Sequence, residues 1–348
     1  MGYITTDRSG LTGAASLPPA AVLLFAISVG LPLWAQQIGT RAQTLREWDE
    51  GSTDRGSSTI AISFDGTLEA HLGPQSFNDG LYVNFLAGGK DALIVKEAGG
   101  YSEFEDLSFS ADGSRVMFLA CPPLGADCGL SKIYTVRIDG TDLTEIADSF
   151  YDNKTDTEYT LRPPASYSPD GSNVLLEIVG RRDVPEDGKV SRDLVTQTSY
   201  VGLVSAHGLK QHPERLVEGT PLFWSSDSTA IYYAGKDPAI YRIDVAAKQI
   251  SPTAINGPSI PLLGRVPGMD AIFLDFQKDN FVTVENLDGT PVSPQLAESA
   301  SKIPLRDSEG RSLRSIEGGG QRQLLLRYLN EFKKPGTVEG RTRLVRFP

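Results

Sequence analysis

One short motif recurs four times in order along the chain and limits its fold more than any other feature. The copies are Ile62-Ser63-Phe64-Asp65-Gly66, Phe109-Ser110-Ala111-Asp112-Gly113, Tyr167-Ser168-Pro169-Asp170-Gly171 and Trp224-Ser225-Ser226-Asp227-Ser228. Each reads apolar or aromatic, Ser, any residue, Asp, then a small residue. An Asp side chain bonds backbone two residues on, and Gly takes positive φ without a Cβ clash, so each copy predicts a tight turn. An alternating run follows, as where Val116 and Phe118 alternate with Arg115 and Met117, the pattern of a strand. Asp65, Gly66, Asp112, Gly113, Asp170, Gly171 and Asp227 are therefore assigned to structural turns and not to catalysis.

Further runs extend each unit. Ala92–Lys96, Ile133–Asp139, Tyr200–Val204 and Ile240–Asp244 read as third strands. Two degenerate copies follow, one at Pro267-Gly268-Met269-Asp270 and one at Ser308-Glu309-Gly310 leading into Leu313 and then Leu324–Leu326. A single small meander cannot bury its faces, whereas several packed side by side can. The spacing lies near the roughly 40–50 residues of a four-stranded propeller blade. The expectation is an all-β chain, a β-propeller of four-stranded blades, six-bladed.

These residues resemble the WD40-like repeat of the TolB-type β-propellers, the PD40 kind. Ser168-Pro169-Asp170-Gly171 matches the first part of that repeat, and Ile133-Tyr134…Asp139-Gly140…Leu143-Thr144 the second. The resemblance covers about Ile60 to Ile250 clearly and the rest weakly. It implies a ring that acts as a platform for proteins or ligands. TolB carries an α/β domain before its propeller, for which Gln36–Thr59 leaves no room, and propeller peptidases add a hydrolase domain after theirs. The activity of either relative is not carried over.

Residues 1–35 read as an export signal, with Asp7 and Arg8 ahead of an apolar run from Leu17 to Trp34 and cleavage after Ala35. The alternative is an uncleaved amino-terminal anchor that would tether the protein to a membrane. Residues 36–59 are a linker or a ring-closing edge strand, since an open ring leaves two strand edges exposed, and residues 60–348 are the propeller. Export predicts a periplasmic or secreted location. In an oxidising compartment, the only two cysteines, Cys121 and Cys128, are expected to form a disulfide.

Asp148–Leu161 is an acidic insertion without the alternate spacing of a calcium loop, and it reads as a solvated loop. Arg181–Asp193 is a second charged insertion, and the two together could rim a channel mouth. His71, His207 and His212 are the only histidines and read as surface loop positions rather than metal ligands. The basic stretch from Gly318 onward, with Arg322, Arg327, Lys333, Lys334, Arg341, Arg343 and Arg346, reads as a solvated edge.

A net charge of −11 argues against nucleic acid as partner. There is no Gly-x-Ser-x-Gly elbow, His-Glu-x-x-His, Walker loop or dinucleotide glycine fingerprint. No catalytic, metal or cofactor residue is assigned. The leading expectation is an exported, non-catalytic propeller that binds a protein or cell-envelope component. The alternative is a carbohydrate-active lyase or hydrolase with carboxylates converging in the central channel.

Overall fold

The computed structural model describes residues 43–50, 60–72, 80–96, 102–121, 131–186, 189–207, 210–237, 239–256, 262–275, 281–318, 323–334 and 337–347. The calls on residues 1–35 and on Cys128 lie outside them. Strand β1 (Gln43–Glu50) comes first. Then β2 (Ile60–Ile62), β3 (Leu68–Leu72), β4 (Gly80–Phe85) and β5 (Ala92–Lys96) form an antiparallel sheet in that order. So do β6 (Ser102–Phe109), β7 (Arg115–Cys121), β8 (Lys132–Arg137) and β9 (Thr144–Asp148). The third sheet has five strands: β10 (Phe150–Asp152), β11 (Thr157–Tyr167), β12 (Asn173–Glu186), β13 (Lys189–Ser205) and β14 (Glu214–Glu218). The fourth is β15 (Thr220–Trp224), β16 (Ala230–Ala234), β17 (Ala239–Asp244) and β18 (Ile250–Asn256).

The last sheet joins two strand groups. One is β19 (Leu262–Arg265), β20 (Ala271–Asp275) and β21 (Val282–Asn286), followed by helix α1 (Pro294–Ala300). The other is β22 (Ser312–Gly318), β23 (Gln323–Lys334) and β24 (Thr337–Arg346). Strand β1 pairs antiparallel with β24, Glu47 opposite Arg343. The groups meet through a parallel bridge, Gly264 to Ile316.

Each sheet packs on the next, so most strands are covered on both faces. In β20, Ala271, Ile272, Phe273 and Leu274 are all buried. An apolar cluster joins the first and second sheets around Phe104, Phe118 and Val136, and a second joins the second and third around Met117, Ile146 and Leu176. The first and last sheets share only four buried apolar side chains among the described residues, Ile60, Ile62, Leu325 and Leu344. Charged groups supplement that seam. Glu69 on β3 is 1% exposed and meets Arg46 of β1 at 2.7 Å. Within the last sheet, Glu47 of β1 receives Arg341 at 3.0 Å and Arg343 at 2.7 Å from β24.

The architecture is the expected all-β propeller, with local corrections. Ala92–Lys96 is the fourth strand of its sheet, because Gly80–Phe85 supplies the third. Asp148–Leu161 is not a solvated loop. It folds as β10 and the start of β11, since Phe150 stacks on Tyr159 at 4.9 Å and Tyr159 is buried. Among the described residues α1 stands where β21 would be followed by a fourth strand, and its Ala300 is buried. The Ser308–Gly310 turn precedes the inner strand β22, whereas the other repeat turns follow theirs. His71 sits on strand β3 rather than in a loop.

Candidate functional site at the channel mouth

The repeat turns are closed by hydrogen bonds within six residues. The Ser63 hydroxyl donates to Asp65 Oδ1 at 2.6 Å, and the amides of Thr67 and Leu68 donate to Asp65 Oδ1 and Ser63 Oγ at 3.0 and 2.9 Å. Gly66 N donates to the Ser63 carbonyl at 2.8 Å. The same serine-to-carboxylate bond is 2.7 Å at Ser110–Asp112, 2.5 Å at Ser168–Asp170 and 2.7 Å at Ser225–Asp227. In each case the serine hydroxyl is the largest cause holding the carboxyl below its ordinary range. At Asp227 the pKa falls to about 2. Ser228, in place of glycine, keeps φ at +65°. Its hydroxyl accepts from Asp170 N at 2.9 Å, a bond that glycine could not make.

These turns touch one another around a ring. A β-carbon added at Gly113 would lie 3.7 Å from Cβ of Ser63, and one at Gly171 3.7 Å from Cβ of Ala111. Asp170 bonds Ser228, and Ser226 N donates to Asp270 Oδ1 at 2.7 Å. Gly318 approaches Pro267, and Gln323 approaches Gly66. The ring surrounds a channel of about 810 Å³, walled by β2, β6, β11, β15, β19 and β22. That volume falls within the range of ligand sites.

The residue written as "any" in the motif is the one that rims this channel. Phe64, Ala111, Pro169, Ser226 and Pro267 all line it, and Phe64 is 50% exposed. The sequence reading did not single out this position. Its signal was the filling of a free turn position by Phe and Pro. Each Asp that follows the rim residue in the four full motifs is exposed.

Four charged residues line the channel wall: Asp106, Arg265, Arg314 and Glu317. They do not form a carboxylate constellation. Asp106 is buried at φ +57° and its carboxylate accepts from Ala165 N on the neighbouring sheet. Glu317 accepts from the Ser315 hydroxyl at 3.2 Å. Arg265 Nε donates to the Met269 carbonyl at 3.0 Å, and Asp270 lies 3.9 Å from its guanidinium. Burial pushes the Arg265 pKa down, and Asp270 opposes that shift.

The other candidates lie elsewhere. None of the three histidines lines the channel. His71 stacks on Tyr82 at 5.6 Å and lies 3.4 Å from Glu69; burial pushes its pKa down. His207 and His212 are exposed, with His212 packed 4.7 Å from Phe150. Cys121 ends β7. The basic tail is not a free edge: Arg327 is buried, and Arg341 also reaches Glu309 at 2.6 Å. Among the described residues no cluster of three His, Cys, Asp or Glu is placed to hold a metal, and no helix is long and apolar enough to cross a membrane.

No family model and no curated protein matches the chain. Among solved structures, an oligogalacturonate lyase in complex with manganese superposes with a TM-score of 0.50 at 14% identity, covering 86% of this chain and 78% of that one. TolB from Acinetobacter baumannii gives 0.46 at 14% identity, over 82% of this chain and 65% of that one. The β-propeller domain of Cps50 (Swd1) from Myceliophteria thermophila gives 0.49 at 13% identity, over 87% and 100%. Likeness at such identities concerns architecture, and one architecture hosts many functions. In fold the chain is a β-propeller, and its repeat resembles the TolB-like, WD40-like kind.

Proposed function

We propose that this protein is an exported, non-catalytic β-propeller that binds a protein or cell-envelope component at the turn-ringed mouth of its channel. The observation that carries the reading is the convergence of five motif positions from five strand groups on one rim, with Phe64 half exposed among them. A large apolar side chain held out at a channel mouth by a rigid turn suits an anchor for a partner. The polar groups of the wall are engaged within it, as with Asp106 on Ala165 N. A pull-down from cell envelopes with the intact exported protein is expected to recover a stoichiometric partner, and Phe64→Ala to lose it. Recovery of nothing stoichiometric by the wild type would sink the reading.

Export and the Cys121–Cys128 disulfide belong to the same proposal. Intact mass of the secreted protein is expected to begin at Gln36, with both thiols blocked to alkylation until reduction. The enzyme reading keeps one specific observation, the buried Asp106 at positive φ in the channel wall, because strained backbone gathers at functional sites. Turnover of an oligosaccharide that is lost in Asp106→Asn, with unchanged thermal stability, would favour it.

A further inference from the structure

An imidazole stands beside the ion pair that ties the last sheet to the first. Strand β1 belongs to the last sheet through its pairing with β24. Its Arg46 crosses to Glu69 of β3 at 2.7 Å, and the Glu69 side chain is 1% exposed. Two residues further along β3, on the same face of the strand, His71 brings Nδ1 to 3.4 Å from Glu69 Oε1. That nitrogen is buried and makes no hydrogen bond among the described residues. The ring is fixed in place by its neighbours. Tyr82, opposite it on β4, stacks on it at 5.6 Å, and buried Ile60 lies opposite it on β2. Asp91, between β4 and β5, stands 4.0 Å from Nε2, and its carboxylate accepts from Asn84 Nδ2 at 2.7 Å. Among the described residues the charged and titratable groups that face the imidazole are Glu69 on its own strand, Tyr82 on β4, Asp91 after β4, and Arg46 on β1.

Two cations therefore compete for one buried carboxylate. Neutral His71 leaves Glu69 to Arg46. Once protonated, Nδ1 is a donor within reach of Glu69, and a second positive charge stands near the guanidinium. We propose that Glu69 and His71 form a pH-operated latch across the seam between the first and last sheets: at neutral pH Arg46 holds Glu69 and β1 is docked, and in mild acid His71 takes over as the counter-ion and β1 releases the first sheet while the sheets themselves stay folded. A carboxylate this buried needs a cation in either state, and the geometry supplies one for each. Burial is the largest cause that pushes the His71 pKa down; Asp91 opposes it and Arg46 adds to it. Linkage is reciprocal, so a cation that weakens the proton's hold on His71 is itself weakened by that proton. With Arg46 gone the imidazole binds its proton more tightly, and acid shifts the population toward the released state.

The test uses the intact protein and two readouts. Native-state hydrogen exchange, corrected for the pH dependence of the exchange chemistry, should show opening of β1 and β2 rising about tenfold between pH 7 and pH 5 relative to β7 and β12. The acid end is set at pH 5 so that the repeat-turn carboxylates, whose pKa values are all lowered, stay ionised. His71→Gln should abolish that rise and leave the opening at pH 7 nearly unchanged. The second readout is the titration of the His71 ring protons by NMR, which should move to higher pH in Arg46→Ala. An imidazole that only fills space would titrate without regard to Arg46. The proposal is overturned if acid opens all sheets equally, if His71→Gln keeps the rise, or if the His71 titration is the same with and without Arg46. Should Arg46→Ala fail to fold, exchange in the wild type and in His71→Gln decides the matter alone.

Discussion

In the fourth turn the Asp227 carboxylate accepts from the Ser225 hydroxyl and the Thr229 amide, and its pKa falls from 3.8 to about 2, with Ser225 the largest cause. A depressed carboxylate contributes stability that is full above the unfolded value and is lost as pH falls through the folded one. Asp65, Asp112 and Asp170 shift in the same direction. The contribution of these four groups to denaturant midpoints should therefore be full above about pH 5 and decline as pH falls through their ordinary value of 3.8, at Asp227 toward about 2. Asp227→Ala should cost about 1–2 kcal/mol at neutral pH, because Ser225 is 1% exposed and loses its acceptor. It should also flatten part of the acid limb. His71 moves the other way round. Burial lowers its pKa, so the neutral form is favoured and stability declines as pH falls below its ordinary value of 6.5. His71→Gln should remove that portion of the pH profile, read as the change in midpoint between pH 7 and pH 5.

At the scale of elements, β1 is held by backbone pairing with β24 and by the ion pairs of Arg46 and Glu47. Arg46 is the cation that meets Glu69, a carboxylate 1% exposed. Arg46→Ala should cost about 2–3 kcal/mol, as removal of one partner leaves a buried charge uncompensated. Arg46→Ala with Glu69→Gln should recover part of that loss, measured by a double-mutant cycle. Glu47 offers a contrast. It is more than a third exposed, so Glu47→Gln should cost only about 0.5–1 kcal/mol, and less in high salt. A second element-scale case is Gly264, where β19 meets β22. A Cβ there would sit 1.8 Å from the Ile316 carbonyl oxygen. Gly264→Ala must separate two backbones and should cost about 3 kcal/mol or more, or block folding.

Among the described residues of the propeller, the seam between the first and last sheets shares four buried apolar side chains, against sixteen in the cluster that joins the first and second. Apolar burial is the larger stabilising term per residue, so the seam should open before the other interfaces. Native-state hydrogen exchange should find β1 and β24 exchanging faster than β7, β8 and β12 at neutral pH, and raised salt should widen the difference. Uniform protection across all sheets would refute this ranking.

Much of this propeller was legible in its amino-acid order because the decisive contacts are local. Ser63 and Asp65 bind amides within five residues, and Val116 and Phe118 alternate with their neighbours. Turn chemistry and period-two patterning therefore give the turns and their flanking strands without reference to distant residues. The same locality explains what was misread. Asp148–Leu161 looked solvated while only its charges were weighed, and Phe150 finds Tyr159 only once a hairpin forms. The pairing of β1 with β24 spans nearly the whole chain. The Gly264–Ile316 approach and the substitution of α1 for a strand likewise rest on partners far apart in sequence. Above all, the convergence of Phe64, Ala111, Pro169, Ser226 and Pro267 on one mouth belongs to ring closure. In sequence they are unconstrained turn positions, and only the packing of successive sheets makes them neighbours.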